Sequence, residues 1–291
     1  MTTMKKLLFL IVFGFTFILN ISAQNNTFKI FYSHGSAYLI TGGDKKPVLR
    51  DMLLNEKQSL KINKNASVII VAPNGISLPL SIPGTYSYQN LITLMVENSK
   101  SLTNSYFSYV VNEMTKPHEA KKDNIIGGVY RGDMFMHLPF DSCLIIQNNI
   151  NFSWGKGYSP DPLTLAIWDD NGRIVFRKSF SDTIYNHEIR RENNDRSYEW
   201  TVGYDPDRLS NIVTRMYTIA SQSTSDRLNK ELVELKKNMS LSPEFNELLL
   251  LSFYDKNHLF IEEYSALKAA IIRYPVNTLI QDYYKWFLEK H

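Results

Sequence analysis

Leu163-Thr164-Leu165-Ala166-Ile167-Trp168-Asp169-Asp170-Asn171-Gly172-Arg173-Ile174-Val175-Phe176-Arg177 is the stretch whose reading decides the fold. Before the turn large aliphatic residues recur at every second position, and after it charge alternates with apolar bulk, so both halves have the two-residue period of strands. Asn171-Gly172 tolerates the positive φ angles of a tight hairpin, which predicts that the two runs fold on each other with their apolar faces on one side. One hairpin is not stable alone. Phe152-Ser153-Trp154 before it and Tyr198-Glu199-Trp200-Thr201-Val202 after it supply the missing partners, and they bring two further tryptophans.

Working outward, residues 136–207 make a β-sandwich of immunoglobulin-like size, with its tryptophans expected in the core in preference to a carbohydrate-binding platform. The segment Glu188 to Arg196 is densely charged and is expected in solvent. Residues 24–115 open with short apolar runs at Phe28 to Tyr32, Ser36 to Ile40, Gln58 to Ile62, Ser67 to Val71 and Ile76 to Leu80, punctuated by turn residues. Gly42-Gly43 reads as a hairpin, since no phosphate-loop lysine and serine follow. Lys45, Lys46, Lys57, Lys61 and Lys64 read as solvated strand edges. From Leu91 to Met114 the spacing changes to three and four, which predicts one or two short helices interrupted near Ser99 to Asn104.

The run from Gly35-Ser36-Ala37-Tyr38 through Lys46-Pro47-Val48 and Leu60-Lys61-Ile62 to Val68-Ile69-Ile70 and Gly75 resembles the periplasmic domain of the FecR-like family. That resemblance implies a β-rich module, of the kind that passes a signal from an outer-membrane transporter towards a sigma factor. The regulators of that family carry a cytoplasmic helical domain ahead of their membrane span, and here six residues precede the apolar segment. Only the module is implied.

Residues 1–23 have a basic start with Lys5 and Lys6, an apolar stretch from Leu7 to Leu19 and a small residue, Ala23, before Gln24. This is the pattern of a cleaved secretory signal, and the apolar stretch is shorter than the roughly twenty residues of a membrane span. Its removal brings the formal charge from +3 to +1, because the segment has two lysines and no acid. Such a balance favours neither nucleic acid nor an anionic membrane. The expectation is an exported protein of a bacterial periplasm or outer envelope, with no stable membrane span after cleavage.

Residues 116–135, with Pro117 and a run of charges, read as a linker, and Arg131-Gly132-Asp133 within it as a turn, not an adhesion motif. Residues 208–291 read as a helical tail. Ser242-Pro243-Glu244 is a helix start, an apolar stripe runs to Tyr254, a second runs from Tyr264 to Tyr274 before Pro275, and Leu279 to Leu288 makes a last helix. The pattern is similar to one tetratricopeptide unit, with Leu250, Tyr254, Ala270 and Pro275 at its characteristic positions, while Leu251 and Glu263 stand where that motif has small residues. A lone unit cannot bury both faces, so these helices must pack on each other, on the sandwich or on a partner.

Motifs for chemistry are scarce. Cys143 stands alone, which excludes an intramolecular disulfide and reads as a buried apolar residue. His34, His118, His137, His187, His258 and His291 pair with nothing at metal-ligand spacing. Asp205-Pro206-Asp207 with Ser210 and Asn211 lacks the glycine and distal glutamate of a calcium loop and reads as a helix cap. Asp169-Asp170 reads as a solvated turn and Glu262-Glu263 as a solvated helix face. The sequence therefore predicts no catalytic residue, metal or cofactor. It points to a non-catalytic envelope protein acting on a protein partner, possible roles being surface signalling or uptake, with Tyr264, Tyr283, Trp286 and Phe287 of the tail as its interface. The competing expectation is a hydrolase of envelope polymers, or a carbohydrate-binding accessory protein.

Overall fold

A computed structural model of the chain describes residues 27–115, 136–155, 161–204, 214–237, 239 and 241–291. The signal-like segment, the linker with Arg131-Gly132-Asp133, and the Asp205 to Asn211 cap lie outside these residues. The described residues form mostly antiparallel sheets with six helices, in two compact units that part between Asn104 and Ser105.

The first unit begins with eight strands: β1 (Phe28–His34), β2 (Ala37–Thr41), β3 (Asp44–Pro47), β4 (Leu53–Leu54), β5 (Ser59–Ile62), β6 (Ser67–Val71), β7 (Ser77–Leu80) and β8 (Gly84–Ser87). The five runs read from the sequence all fall on strands. They form two four-stranded sheets, ordered β4-β1-β6-β7 and β3-β2-β5-β8, whose inner residues, among them Ile30, Leu39, Leu60, Ile62, Val68 and Ile70, share one aliphatic core. Helix α1 (Tyr88–Asn98) lays Leu91 and Met95 on that core, and Ser87 and Asn90 form a reciprocal cap at its start. Gly35 has φ +73, and a Cβ there would lie 2.8 Å from the Asn65 carbonyl, so no other residue fits this β1–β2 turn.

The second unit contains the sandwich. Its strands are β9 (Met136–Leu138), β10 (Cys143–Ile145), β11 (Asn149–Trp154), β12 (Leu163–Asp169), β13 (Ile174–Phe180), β14 (Ile184–Glu188), β15 (Arg196–Gly203) and β16 (Arg215–Ile219). One sheet runs β10-β16-β15-β12-β13 and the other β14-β11-β9, with β10 parallel to β16 and every other pairing antiparallel. The sheets meet through rings: Phe152 of β11 lies 5.1 Å from Trp200 and 5.8 Å from Tyr217, centroid to centroid. Trp154 and Trp200 are buried, as expected of core tryptophans, and Cys143 of β10 is buried opposite Tyr217.

The central hairpin forms in the register the alternation predicts, with Leu163 opposite Phe180 and Ile167 opposite Phe176. Its turn differs. Gly172 alone takes positive φ, at +71, and Asp170-Asn171-Gly172 makes a three-residue loop with an irregularity between Ile167 and Trp168. The cause is Asp169, whose carboxylate accepts from the amides of Asn171 and Arg173 at 3.0 and 2.9 Å and holds the loop as an Asx turn. The faces are also unequal. β12 is buried along both sides, whereas Ile174 and Val175 at the start of the edge strand β13 are 51% and 52% exposed.

The helices α2 (Leu102–Thr115), α3 (Gln222–Lys237), α4 (Pro243–Lys256), α5 (Phe260–Arg273) and α6 (Thr278–Lys290) complete the chain. From Ser105 onward α2 belongs with the second unit, not with the β module it follows, because its Tyr106 and Phe107 pack edge-on against Phe253 and Phe245 of α4. The charged segment before β15 is exposed at Glu192 to Asp195 but is pinned at both ends. Arg191 donates to the carbonyls of Ala220 and Ile146 and to Ser225 Oγ, and Asp195 accepts from the Ser221 amide and caps α3.

Candidate functional site

Of the four tail residues expected to form an interface, three are buried and Tyr264 is half-buried. α6 places Leu279, Ile280, Tyr283, Trp286 and Phe287 on one stripe, and all five are buried. Tyr264 is half-buried, stacked on Phe287 at 6.0 Å and set edge-on to Phe140 of the sandwich at 5.5 Å. The physical reason is the one a lone helical repeat imposes: its apolar stripe needs cover, and here the neighbouring helices and the sandwich provide it. The tail is tied to β10 through Leu144 N–H to the His258 carbonyl at 2.7 Å, and to the segment after it through Gln147 Nε2 to Glu262 Oε1 at 3.2 Å.

Inside the tail a polar cluster replaces what the sequence reads as a solvated pair. Glu263 is 0% exposed, because it falls on the stripe Phe260, Glu263, Leu267, Ala270 at helical spacing; Glu262, one residue earlier, points to Gln147. Tyr283 Oη donates to Glu263 Oε1 at 2.7 Å, and Lys290 Nζ reaches Asp255 Oδ1, also buried, at 2.6 Å. Burial and the neighbouring Asp255 charge push the Glu263 carboxyl well above the usual carboxylate range, against the pull of Tyr283 and Lys290. Burial, Glu263 and Asp255 likewise raise the Tyr283 hydroxyl, and burial and Asp255 raise that of Tyr109. Of these groups Glu263 and Tyr283 are fully buried in the packed helical tail, and Tyr109 is half-buried.

Accessible geometry lies at the hairpin end of the five-stranded sheet. A concavity of about 660 Å³ is lined by Trp168, Asp170, Ser197, Tyr198, Glu199 and Met216, among others. The register explains why they meet: Trp168 lies opposite Glu199, and Glu199 opposite Met216, so an indole, a carboxylate and a thioether stand side by side across β12, β15 and β16. Trp168 is half-buried and Met216 is 47% exposed. Asp169 is committed to the turn, with Arg173 at 2.8 Å, and the Arg173 amide above all, outweighing burial, holds its carboxyl below the usual range. Such a surface offers ring faces and hydrogen-bond acceptors, the means of binding. Trp168 departs from the core placement expected of the tryptophans, because it stands near the end of β12, past the register irregularity, at the rim.

A second, apolar hollow of about 450 Å³ in the first unit lies between Phe28, Pro73, Tyr88, Ile92 and Met95. Among the described residues no group of three or more histidine, cysteine, aspartate or glutamate side chains is placed to hold a metal ion, and no helix is long and apolar enough to cross a membrane. Burial raises the Cys143 thiol far from the range of a nucleophile.

No family model matches the chain, and no curated protein matches it. Several solved structures are similar at low score, two of them as follows. CopC from Methylosinus trichosporium OB3b is 16% identical over 31% of this chain and 95% of its own, with a TM-score of 0.22. Fibronectin(III)-like modules of Clostridium thermocellum CbhA are 5% identical over 69% of this chain and 81% of theirs, also at 0.22.

Proposed function

We propose that this is a non-catalytic, exported cell-envelope protein that acts by binding a protein partner, and that its contact surface is the hairpin end of the sandwich. The observation that carries the reading is the cross-strand row Ile174, Trp168, Glu199 and Met216, whose Ile174 and Met216 are about half exposed, ending at the edge strand β13, on which Val175 is exposed too. An unpaired strand edge beside aromatic and apolar anchors is a surface suited to an extended segment of another chain. Export rests on the signal-like pattern of residues 1–23, and a role in signalling or uptake on the FecR-like resemblance of the first unit, whose two four-stranded sheets suit a β-rich module.

The finer fold names belong to the same proposal. A sandwich whose β10 runs parallel beside the last strand, with β16-β15-β12-β13 in one sheet and β14-β11-β9 in the other, supports the immunoglobulin-like reading. The helices α4 and α5, joined by three residues and packed on each other before Pro275 and α6, support the tetratricopeptide-like one.

A second reading is favoured by one feature of the same site. Trp168 flanked by Asp170, Glu199 and Ser197 combines a ring face with acceptors for hydroxyl groups, which suits a glycan. Capture from envelope extract by the mature chain, by W168A and by a double variant I174D/V175D separates the two. A protein recovered by the wild type and lost with the double variant supports the first reading. Glycan retention that W168A alone removes supports the second, and turnover of envelope polymer by the wild type overturns the non-catalytic assignment.

A further inference from the structure

We propose that Glu263 keeps its proton in the folded tail at neutral pH, and that the helical tail is in consequence a pH-responsive element, tightly packed in acid and neutral surroundings and loosened as pH rises. The geometry of the tail alone carries this, independently of what the sandwich binds.

Two buried carboxylates face one ammonium. Asp255 Oδ1 takes Lys290 Nζ at 2.6 Å and Glu263 Oε1 accepts from Tyr283 Oη at 2.7 Å. The second oxygen of Glu263, Oε2, is buried with no hydrogen-bond partner. Such an oxygen is costly while Glu263 is ionised, since a carboxylate only accepts and the nearest ammonium, Lys290, is seated on Asp255. A proton on Glu263 removes that buried charge.

From α2 the cluster is faced by Tyr109, whose hydroxyl is directed at Asp255, with the acid Glu113 further along the same helix. From α6 come Tyr283 and Lys290, and the Lys290 ammonium is held 4.6 Å from the Trp286 ring centroid and 5.7 Å from that of Phe260. The His291 ring lies against Phe260 and Phe287. Glu262, next along α5, is turned to Gln147.

The direction of the pH effect follows from which state holds the proton. Burial, then the Asp255 charge, raise the Glu263 carboxyl above its ordinary value of 4.5. The folded tail therefore keeps a proton that the unfolded chain gives up above about pH 4.5. The stabilisation is complete below the unfolded value and is lost as pH climbs through the folded one. Within that window, one retained proton makes the opening constant of the tail rise by up to about tenfold per pH unit.

Amide hydrogen exchange of α5 and α6, corrected for the intrinsic pH dependence and followed from about pH 6 to about pH 9, reads that opening constant directly. The wild type should open more with each step in pH, and E263Q, whose amide oxygen still accepts from Tyr283 but cannot titrate, should show a flat profile. An E263Q slope equal to that of the wild type overturns the proposal. Should E263Q fail to fold, the carboxyl carbon shift of Glu263 in the wild type decides: a midpoint well above 4.5 supports the retained proton, and a midpoint near 4.5 overturns it.

Discussion

The sandwich and the helical tail are both rich in aromatic residues, and they use them in opposite ways. In the tail the rings of Tyr283, Trp286 and Phe287 turn inward and close over Asp255, Glu263 and Lys290. In the sandwich Trp154 and Trp200 fill the core, while Trp168 remains at the rim of an open concavity. Aromatic content therefore does not locate an interface. What decides is whether the neighbouring elements can cover the stripe that carries the rings, and helices of thirteen or fourteen residues stacked beside a sheet can.

The largest expected effect lies in the tail. F287A removes a fully buried ring that touches Phe140 of the sandwich and Tyr264 of α5, and thermal or denaturant unfolding should show a loss of about 3–5 kcal/mol. A smaller effect is expected at the start of α6, where Asn277 accepts from the amides of Leu279 and Ile280, both at 3.1 Å. N277A should lower stability by about 1 kcal/mol in the same assay and leave capture by the sandwich unaltered. The smallest stability effect is expected of I174D/V175D, since both side chains are about half exposed and substitutions of that kind stay within about 0.5 kcal/mol. That variant should instead lose the partner. A double variant that unfolds the chain, or F287A that is nearly neutral, would break the contrast between a closed tail and an open hairpin end.

Much of this was legible beforehand. Alternation gave the strands of the first unit and the central hairpin, and Ser242-Pro243 gave the start of α4, where Ser242 stands at the N-cap and Pro243 in the first turn. The rest failed for local reasons. Adjacent acids on a helix diverge by about 100°, so Glu262 and Glu263 cannot share a face, but divergence does not mean that both reach solvent. Following the stripe Phe260, Glu263, Leu267, Ala270 would have placed Glu263 inside, at the position where a tetratricopeptide motif has a small residue. Its hydroxyl partner Tyr283 lies twenty residues away, which no local pattern reveals. The Trp168 rim arises from cross-strand register with Glu199 and Met216, and strand pairing over that distance is set by the fold as a whole. Asp169 altered the expected turn by capturing two amides with its side chain, a competition that the Asn-Gly signal alone does not show.

The central claim is that contact is made by the hairpin end of the sandwich while the tail is closed structure. Hydrogen–deuterium exchange of the protein, free and bound to the captured partner, tests it most directly. The account predicts new protection along residues 168–180 and 197–199, with α5 and α6 unchanged; protection confined to α5 and α6, with the hairpin unaffected, would contradict it.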